Sequence, residues 1–210
     1  MNIMKSYKTV KQPAEAEFIE KKSRFISFVY PISAENEAIS LLETARKKYY
    51  DSTHVVYAYK LKDNNISRFS DDGEPQGTAG VPVLEVINKS ELVDVLVISV
   101  RYFGGTMLGA GGLIRAYSKS AHIGIEAAGI IKMAECVKFF IDCPYHMLGK
   151  IEYVLINNNA NKIDIEYGEN VKLNYYIEAD KLEKLKKEIS DASNGGTELF
   201  ETDRSFYNVI

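Results

Sequence analysis

The 210 residues predict an α+β protein of two domains, and three features carry that prediction. Alternating apolar runs and 3.6-residue apolar spacing both occur along the whole chain, so neither helix nor strand dominates. A near-continuous apolar run, "DVLVISVRYF" at 94–103, reads as a buried central strand. Beyond "AAGIIKM" the pattern changes, and the remaining segments follow the order β-α-β-β-α-β. The boundary falls near residue 131, giving domains 1–130 and 131–210.

The elements follow in order. Residues 17–31, "FIEKKSRFISFVYPI", read as two short strands around a basic turn. Ser33 is expected to cap a helix that carries Glu35 and Glu37 near its positive end. Ala38, Leu41, Leu42, Ala45 and Tyr49 give that helix one buried face. "THVVYAYKL" at 53–61 alternates as a strand, and the asparagines at 64–65 turn it into "ISRFS". Pro82 suits the first turn of a helix better than a central strand, so residues 79–89 predict a helix. The run at 94–103 ends in a glycine-rich loop, and a helix follows from about Gly112 to Ala128.

In the second part, residues 133–143 form a strand and Pro144 opens a helix with Met147, Leu148, Ile151 and Leu155 inward. Ile163, Ile165 and Tyr167 alternate, as do Leu173, Tyr175 and Ile177, and "GEN" between them makes a hairpin. Asp180 with Glu183 resembles a capping box for a helix burying Leu182, Leu185 and Ile189. Gly195 and Gly196 stop it, and "TELFE" is the last strand. This is a ferredoxin-like order.

Composition narrows the function. An apolar fraction of 46% with 26% charged residues is that of a globular protein. The net charge of −3 argues against a protein coated in positive charge for nucleic acid. Residues 1–130 hold 16 basic and 15 acidic side chains, and residues 131–210 hold 10 and 14, so an anion site must be local. Cys136 and Cys143 are the only cysteines, which indicates neither a disulfide framework nor a cysteine zinc site. The N-terminal "MNIMKSYKTVKQPAEAEF" lacks an apolar signal core, and no 18-residue apolar run occurs. A cytoplasmic protein without a membrane partner is the expectation.

Two segments carry the chemistry. "RYFGGTMLGAGGLIR" packs Gly104, Gly105, Gly109, Gly111 and Gly112 between Arg101 and Arg115. Such a loop, leaving a buried strand and entering a helix, aims backbone N–H groups outward where the helix dipole adds positive charge. Arg115 and Lys119 share one helix face with His122, and Tyr102 stands next to Arg101. These residues are the anion- or nucleic-acid-binding candidates, although the spacing matches neither common phosphate-loop pattern. Read structurally, the same loop is a tight connection whose glycines avoid clashes. Tyr102, Phe103 and Tyr117 are candidates to stack or pack, with Phe103 the one most suited to the core.

The second segment, "RFSDDGEPQGTAG" at 68–80, places Asp71, Asp72 and Glu74 within four positions. The cluster admits three readings: Mg²⁺ or substrate binding, pairing with the arginines of the glycine loop, or an ordinary acidic turn. His54, on the preceding strand, joins these three as a candidate acid–base group, and equally reads as a satisfied strand histidine. His122 and His146 are weaker. No hydrolase elbow occurs, nothing marks either cysteine as a nucleophile, and no cofactor is expected. A catalytic machine is not recognisable from the residues.

"SDDGEPQGTAGVPVLEV" followed by "VISVRYFGGTMLGAGGLIRAYSKSA" resembles the YigZ/IMPACT family, and "KKSRFI" and "THVVYAY" match further family segments. The resemblance covers residues 15–130 by motif and 133–210 by layout. It implies an N-terminal ribosomal protein S5 domain 2-like fold and a C-terminal ferredoxin-like domain similar to domain V of elongation factor G. It also implies a link to regulation of translation or stress. In eukaryotic relatives that role depends largely on an extra N-terminal RWD domain, so their kinase-pathway control is not carried over. The leading reading is a non-enzymatic factor bound to RNA or the ribosome. The alternatives are a phosphate-handling or hydrolytic enzyme and a protein-interaction module, the latter with a protein partner on the exposed sheet of the second domain.

Overall fold

The computed structural model describes residues 6–209 apart from the side chain at position 64, so the first five residues of the N-terminal stretch read above for a signal core lie outside the described residues. The chain divides into two compact units, one spanning Tyr7–Lys132 and the other beginning at Met133.

The elements of the first part are β1 (Ser6–Val10), β2 (Ala14–Glu20), β3 (Ser23–Pro31), α1 (Glu35–Lys48) and β4 (His54–Lys60). They continue with β5 (Ser67–Ser70), α2 (Gly80–Lys89), β6 (Val95–Tyr102) and α3 (Ala110–Ala128). The sheet has the order β2-β3-β6-β4-β5, with antiparallel neighbours throughout. Strand alternation divides β6 between two cores. Val95 and Val97 face α2 and α3, while Leu96, Ile98 and Val100 face α1. Helices thus cover both faces of the middle strands, which is why β6 reads as continuously apolar although the sheet is antiparallel. Pro82 sits in the first turn of α2, as its fixed φ and missing N–H favour. Ala38, Leu42 and Ala45 bury the expected face of α1.

The second part comprises β7 (Ile130–Cys143), α4 (Leu148–Asn157), β8 (Asn161–Tyr167), β9 (Val171–Glu178), α5 (Leu182–Ser193) and β10 (Leu199–Asn208). Its strands follow β10-β7-β9-β8, again in antiparallel pairs. Val137, Phe139, Ile141, Leu173 and Ile177 meet Ile151, Leu155, Leu185 and Ile189 of the two helices in one apolar core. Helix α5 ends on Asn194 and Gly195, both at positive φ.

Four local expectations need correction. Ser33 does not cap α1: the carboxylate of Glu37 accepts from both the Ser33 N–H (2.7 Å) and its hydroxyl (2.9 Å). Asp180 makes no capping bond either, because a short 3₁₀ turn at Ala179–Lys181 precedes α5. Helix α3 begins at Ala110, earlier than Gly112. The alternation of β8 is present, yet Ile163 and Tyr167 are exposed: β8 is an edge strand with a register shift between Lys162 and Asp164.

Candidate functional site

Strand register builds the site. Phe25 on β3 and His54 on β4 both pair with Arg101 on β6, so three side chains form one row across the sheet beneath α3. The Arg101 side chain is only 6% exposed and that of Glu74 only 4%. One Arg101 nitrogen, Nη1, donates to Glu74 Oε1 at 2.6 Å. Another, Nη2, donates to Ser23 Oγ at 3.3 Å, while Nε, also buried, has no acceptor. The guanidinium lies 5.5 Å from the ring centroids of both Phe25 and Phe103, which favours a weakly hydrated cation.

Glu74 Oε1 also accepts from the Tyr117 hydroxyl at 2.7 Å. Tyr117 is fully buried and packs edge-on against Phe25. Burial, and then the charge of Glu74, push its phenol well above the ordinary range, so it stays a neutral donor. His54 completes the cluster. Its Nδ1 lies 2.8 Å from the Asp72 carbonyl oxygen, which can only accept, so the proton resides on Nδ1. Nε2 then faces Glu74 Oε1 at 3.7 Å.

The acidic turn does not act as one group. The Asp71 carboxylate accepts from the N–H groups of Gly77 (2.9 Å), Ala79 (3.1 Å) and Gly80 (2.8 Å), which anchors the entry to α2. Asp72 accepts from the Val55 N–H at 2.6 Å and lies 3.5 Å from Arg46. Glu74 alone turns inward to Arg101, the pairing that the sequence offered as one of three readings. Among the described residues no three His, Cys, Asp or Glu side chains converge as a metal site.

The glycine loop splits by purpose. A side chain on Gly104 would overlap the Lys22 backbone, so this position lets the loop sit against the β2–β3 turn. Gly105 and Gly109 hold positive φ (79° and 70°) with open space around them. Helix α3 starts behind Gly109 with no side-chain cap, so the N–H groups of its first turn are not taken up by a capping side chain.

The two arginines therefore part company. Arg115 is exposed on α3, where it shares a depression of about 180 Å³ with Lys21, Lys119, Gly112 and Glu20. Lys119 also lies over the Phe18 ring at 4.5 Å, and His122 is exposed further along α3. Tyr102 points to the other face of the sheet and donates to Asp51 at 2.8 Å. Phe103 is not a core residue: it is 47% exposed beside Arg101. Lys21, Ser23 and Phe25 were not anticipated as site residues, and only an arginine ending an apolar strand hinted that β6 needed a buried anion.

A second cavity, of about 280 Å³, opens between the loop and α3. Its polar lining side chains are Glu74 and Arg101, Gly109 and Ala110 belong to the start of α3, and its remaining wall is apolar.

Comparison with known proteins fits a two-domain layout of the chain. Residues 21–125 match the Impact N-terminal domain, and residues 141–195 match a domain of unknown function, DUF1949. The IMPACT family member YvyE of Bacillus subtilis is 37% identical over 97% of this chain and 94% of its own length. The member YigZ of Escherichia coli is 31% identical over 85% of this chain and 89% of its own. A crystal structure described as that of an hypothetical protein superposes with a TM-score of 0.60 at 29% identity, covering 96% and 99% of the two chains.

Proposed function

The chain belongs to the IMPACT family, and from that premise we propose that it is a cytoplasmic, non-enzymatic factor that binds RNA or the ribosome through a local basic face. The observation that carries this reading is the depression where Lys21, from the β2–β3 turn, meets Arg115 and Lys119 of α3. Residues 94 positions apart (21 and 115) bring positive charge to one concave spot of a protein whose net charge is −3. Gly112, in the first turn of α3, adds the positive end of the helix dipole. Phosphate oxygens suit that combination. We read the two units as S5 domain 2-like and ferredoxin-like; the β10-β7-β9-β8 order with two helices supports the second name. A role in regulating translation or stress responses follows from that partner class.

The alternative of a hydrolytic enzyme draws less support, because the three carboxylates diverge and Glu74 is held by Arg101 and Tyr117. Sedimentation with ribosomes and fluorescence titration with short single-stranded RNA, at low and near-physiological salt, test the proposal. Binding is expected to weaken steeply with salt, and Arg115→Ala or Lys119→Ala should reduce the slope by about 0.7 for each lost phosphate contact. Absent or salt-independent binding by the folded protein sinks it.

A further inference from the structure

We propose that the 280 Å³ cavity between the glycine loop and α3 is a second, separate site that takes a small carboxylate with an apolar body. Phe103, Met107, Leu108 and Leu113 make most of the lining apolar, and Met107 is 87% exposed at the mouth. The polar side chains of the lining are the paired Arg101 and Glu74, and Gly109 and Ala110 bring the start of α3 to the same cavity. An apolar enclosure with a few convergent polar groups is the usual form of a small-molecule site.

The chemistry of this pair points to an acceptor. Arg101 carries five N–H donors, yet its partners in the protein are one oxygen of Glu74 and the Ser23 hydroxyl. Its Nε–H is buried without an acceptor, which a purely structural ion pair would avoid. Gly109 and Ala110 also line the cavity, so the uncapped first-turn N–H groups and positive dipole end of the 19-residue helix α3 border it. Donors therefore exceed acceptors, and the charges of Arg101 and Glu74 cancel to leave the helix end as the net field. A monoanion fits that balance. Phosphate, as a dianion, would face the Glu74 carboxylate and apolar walls that cannot hydrate it. The volume lies just under the range of about 300–1,000 Å³ of sites for drug-sized ligands, so the body should be one ring or a short branched chain.

This site adjoins the basic face around Lys21 and Arg115, sharing Leu108 and the start of α3 with it, but neither Lys21 nor Arg115 lines it. The test is a protein-observed NMR titration of the full chain with 3-phenylpropanoate, and with 3-phenylpropan-1-ol as its uncharged counterpart. Shifts are expected at the amides of Phe103 and Gly109–Leu113, with the acid binding at least about tenfold tighter than the alcohol. Met107→Glu, at an exposed position that folding does not depend on, should weaken the acid by about tenfold or more, whereas Arg115→Ala should leave it unchanged. Arg101→Lys, where it folds, should erase the preference for the acid. Equal binding of acid and alcohol, an unchanged affinity in Met107→Glu, or no shift at those amides would overturn the proposal. Loss of binding in Arg115→Ala would overturn the separateness of the two sites.

Discussion

The two units solve the problem of burial differently. The unit beginning at Met133 fills its core with Val137, Phe139, Ile141, Ile151, Leu155, Leu173 and similar residues, and among the described residues its buried polar side chains are the uncharged Asn158, Ser193 and Thr197. The unit spanning Tyr7–Lys132 has comparable apolar clusters, but it also buries Arg101 and Glu74 against Tyr117. Removing two charges from water costs several kcal/mol per ion, and their mutual attraction seldom returns more than that. Apolar residues of similar volume would hold the same strands together. A buried ion pair beneath a glycine-rich loop is therefore better explained by what the loop must present than by stability. The lesson is that function concentrates where the core departs from the cheaper solution.

The most direct way to break this contrast is to remove one partner. Glu74→Leu leaves Arg101 buried without its counter-ion and Tyr117 without its acceptor, so unfolding free energy should fall by about 3–5 kcal/mol in denaturant titrations followed by circular dichroism. The double variant Glu74→Leu/Arg101→Met should recover most of that loss, because both charges then disappear together. A cost below about 1 kcal/mol for the single variant would mean that the pair is not truly desolvated, and the two units would differ less than they look.

An apolar truncation in the other unit sharpens the comparison. Leu155→Ala should cost about 2–5 kcal/mol through lost transfer energy and the cavity left behind. Both cysteines lie in this unit, buried, and burial pushes the Cys136 thiol up to about 11 and raises that of Cys143. Neither should react with an alkylating agent near neutral pH while the fold is intact. Labelling should accelerate in Leu155→Ala and stay slow in Glu74→Leu if the units open separately. Equal acceleration in both would show that they unfold together.

How much of this was legible in the sequence depends on the range of each interaction. Pro82, the asparagine turn after β4 and the two-sided burial of β6 follow from local chemistry or simple period, and the sequence reading placed them correctly. Ser33 misleads because α1 begins at Glu35 with Ala34 at the cap position, which leaves Ser33 one residue too early, where its N–H and hydroxyl donate to Glu37 instead. Alternation in β8 told which side chains share a face, but not whether anything covers that face. The site was harder still. Arg101 and Glu74 are 27 positions apart, and Lys21 meets Arg115 only because the β2–β3 turn folds against α3. Two arginines that flank one loop looked alike in sequence. Strand alternation could have separated them, since Arg101 continues the face of Val95 and Val97 while Arg115 follows the glycines onto a helix surface.

The loop itself gives a smaller effect. Gly104→Ala forces a Cβ onto the Lys22 backbone, and the loop must shift, at a cost of about 1–3 kcal/mol. The useful readout is where the damage appears. Amide shifts should spread from the β2–β3 turn to Phe103 and the start of α3 while the second unit stays silent. Spread into β9 and α5 would contradict the separation of roles.

The smallest effect distinguishes the two cores by pH. Tyr117 holds its proton more tightly folded than unfolded, because burial and Glu74 both oppose the phenolate. Its contribution is therefore complete below the ordinary value of 10.0 and is lost as pH rises through and beyond it. Tyr117→Phe should cost about 1 kcal/mol at neutral pH by deleting the bond to Glu74. The same substitution should flatten the fall in stability above pH 10.0, because a phenylalanine has no proton to lose on unfolding. Tyr175, buried in the second unit with its phenol also raised, supplies the control. Tyr175→Phe should flatten the alkaline limb as well, but it touches no Glu–Arg pair, so its neutral-pH cost should be smaller. If the two substitutions cost the same at neutral pH, the Tyr117 hydroxyl adds nothing to Glu74, and the buried network reduces to an isolated ion pair.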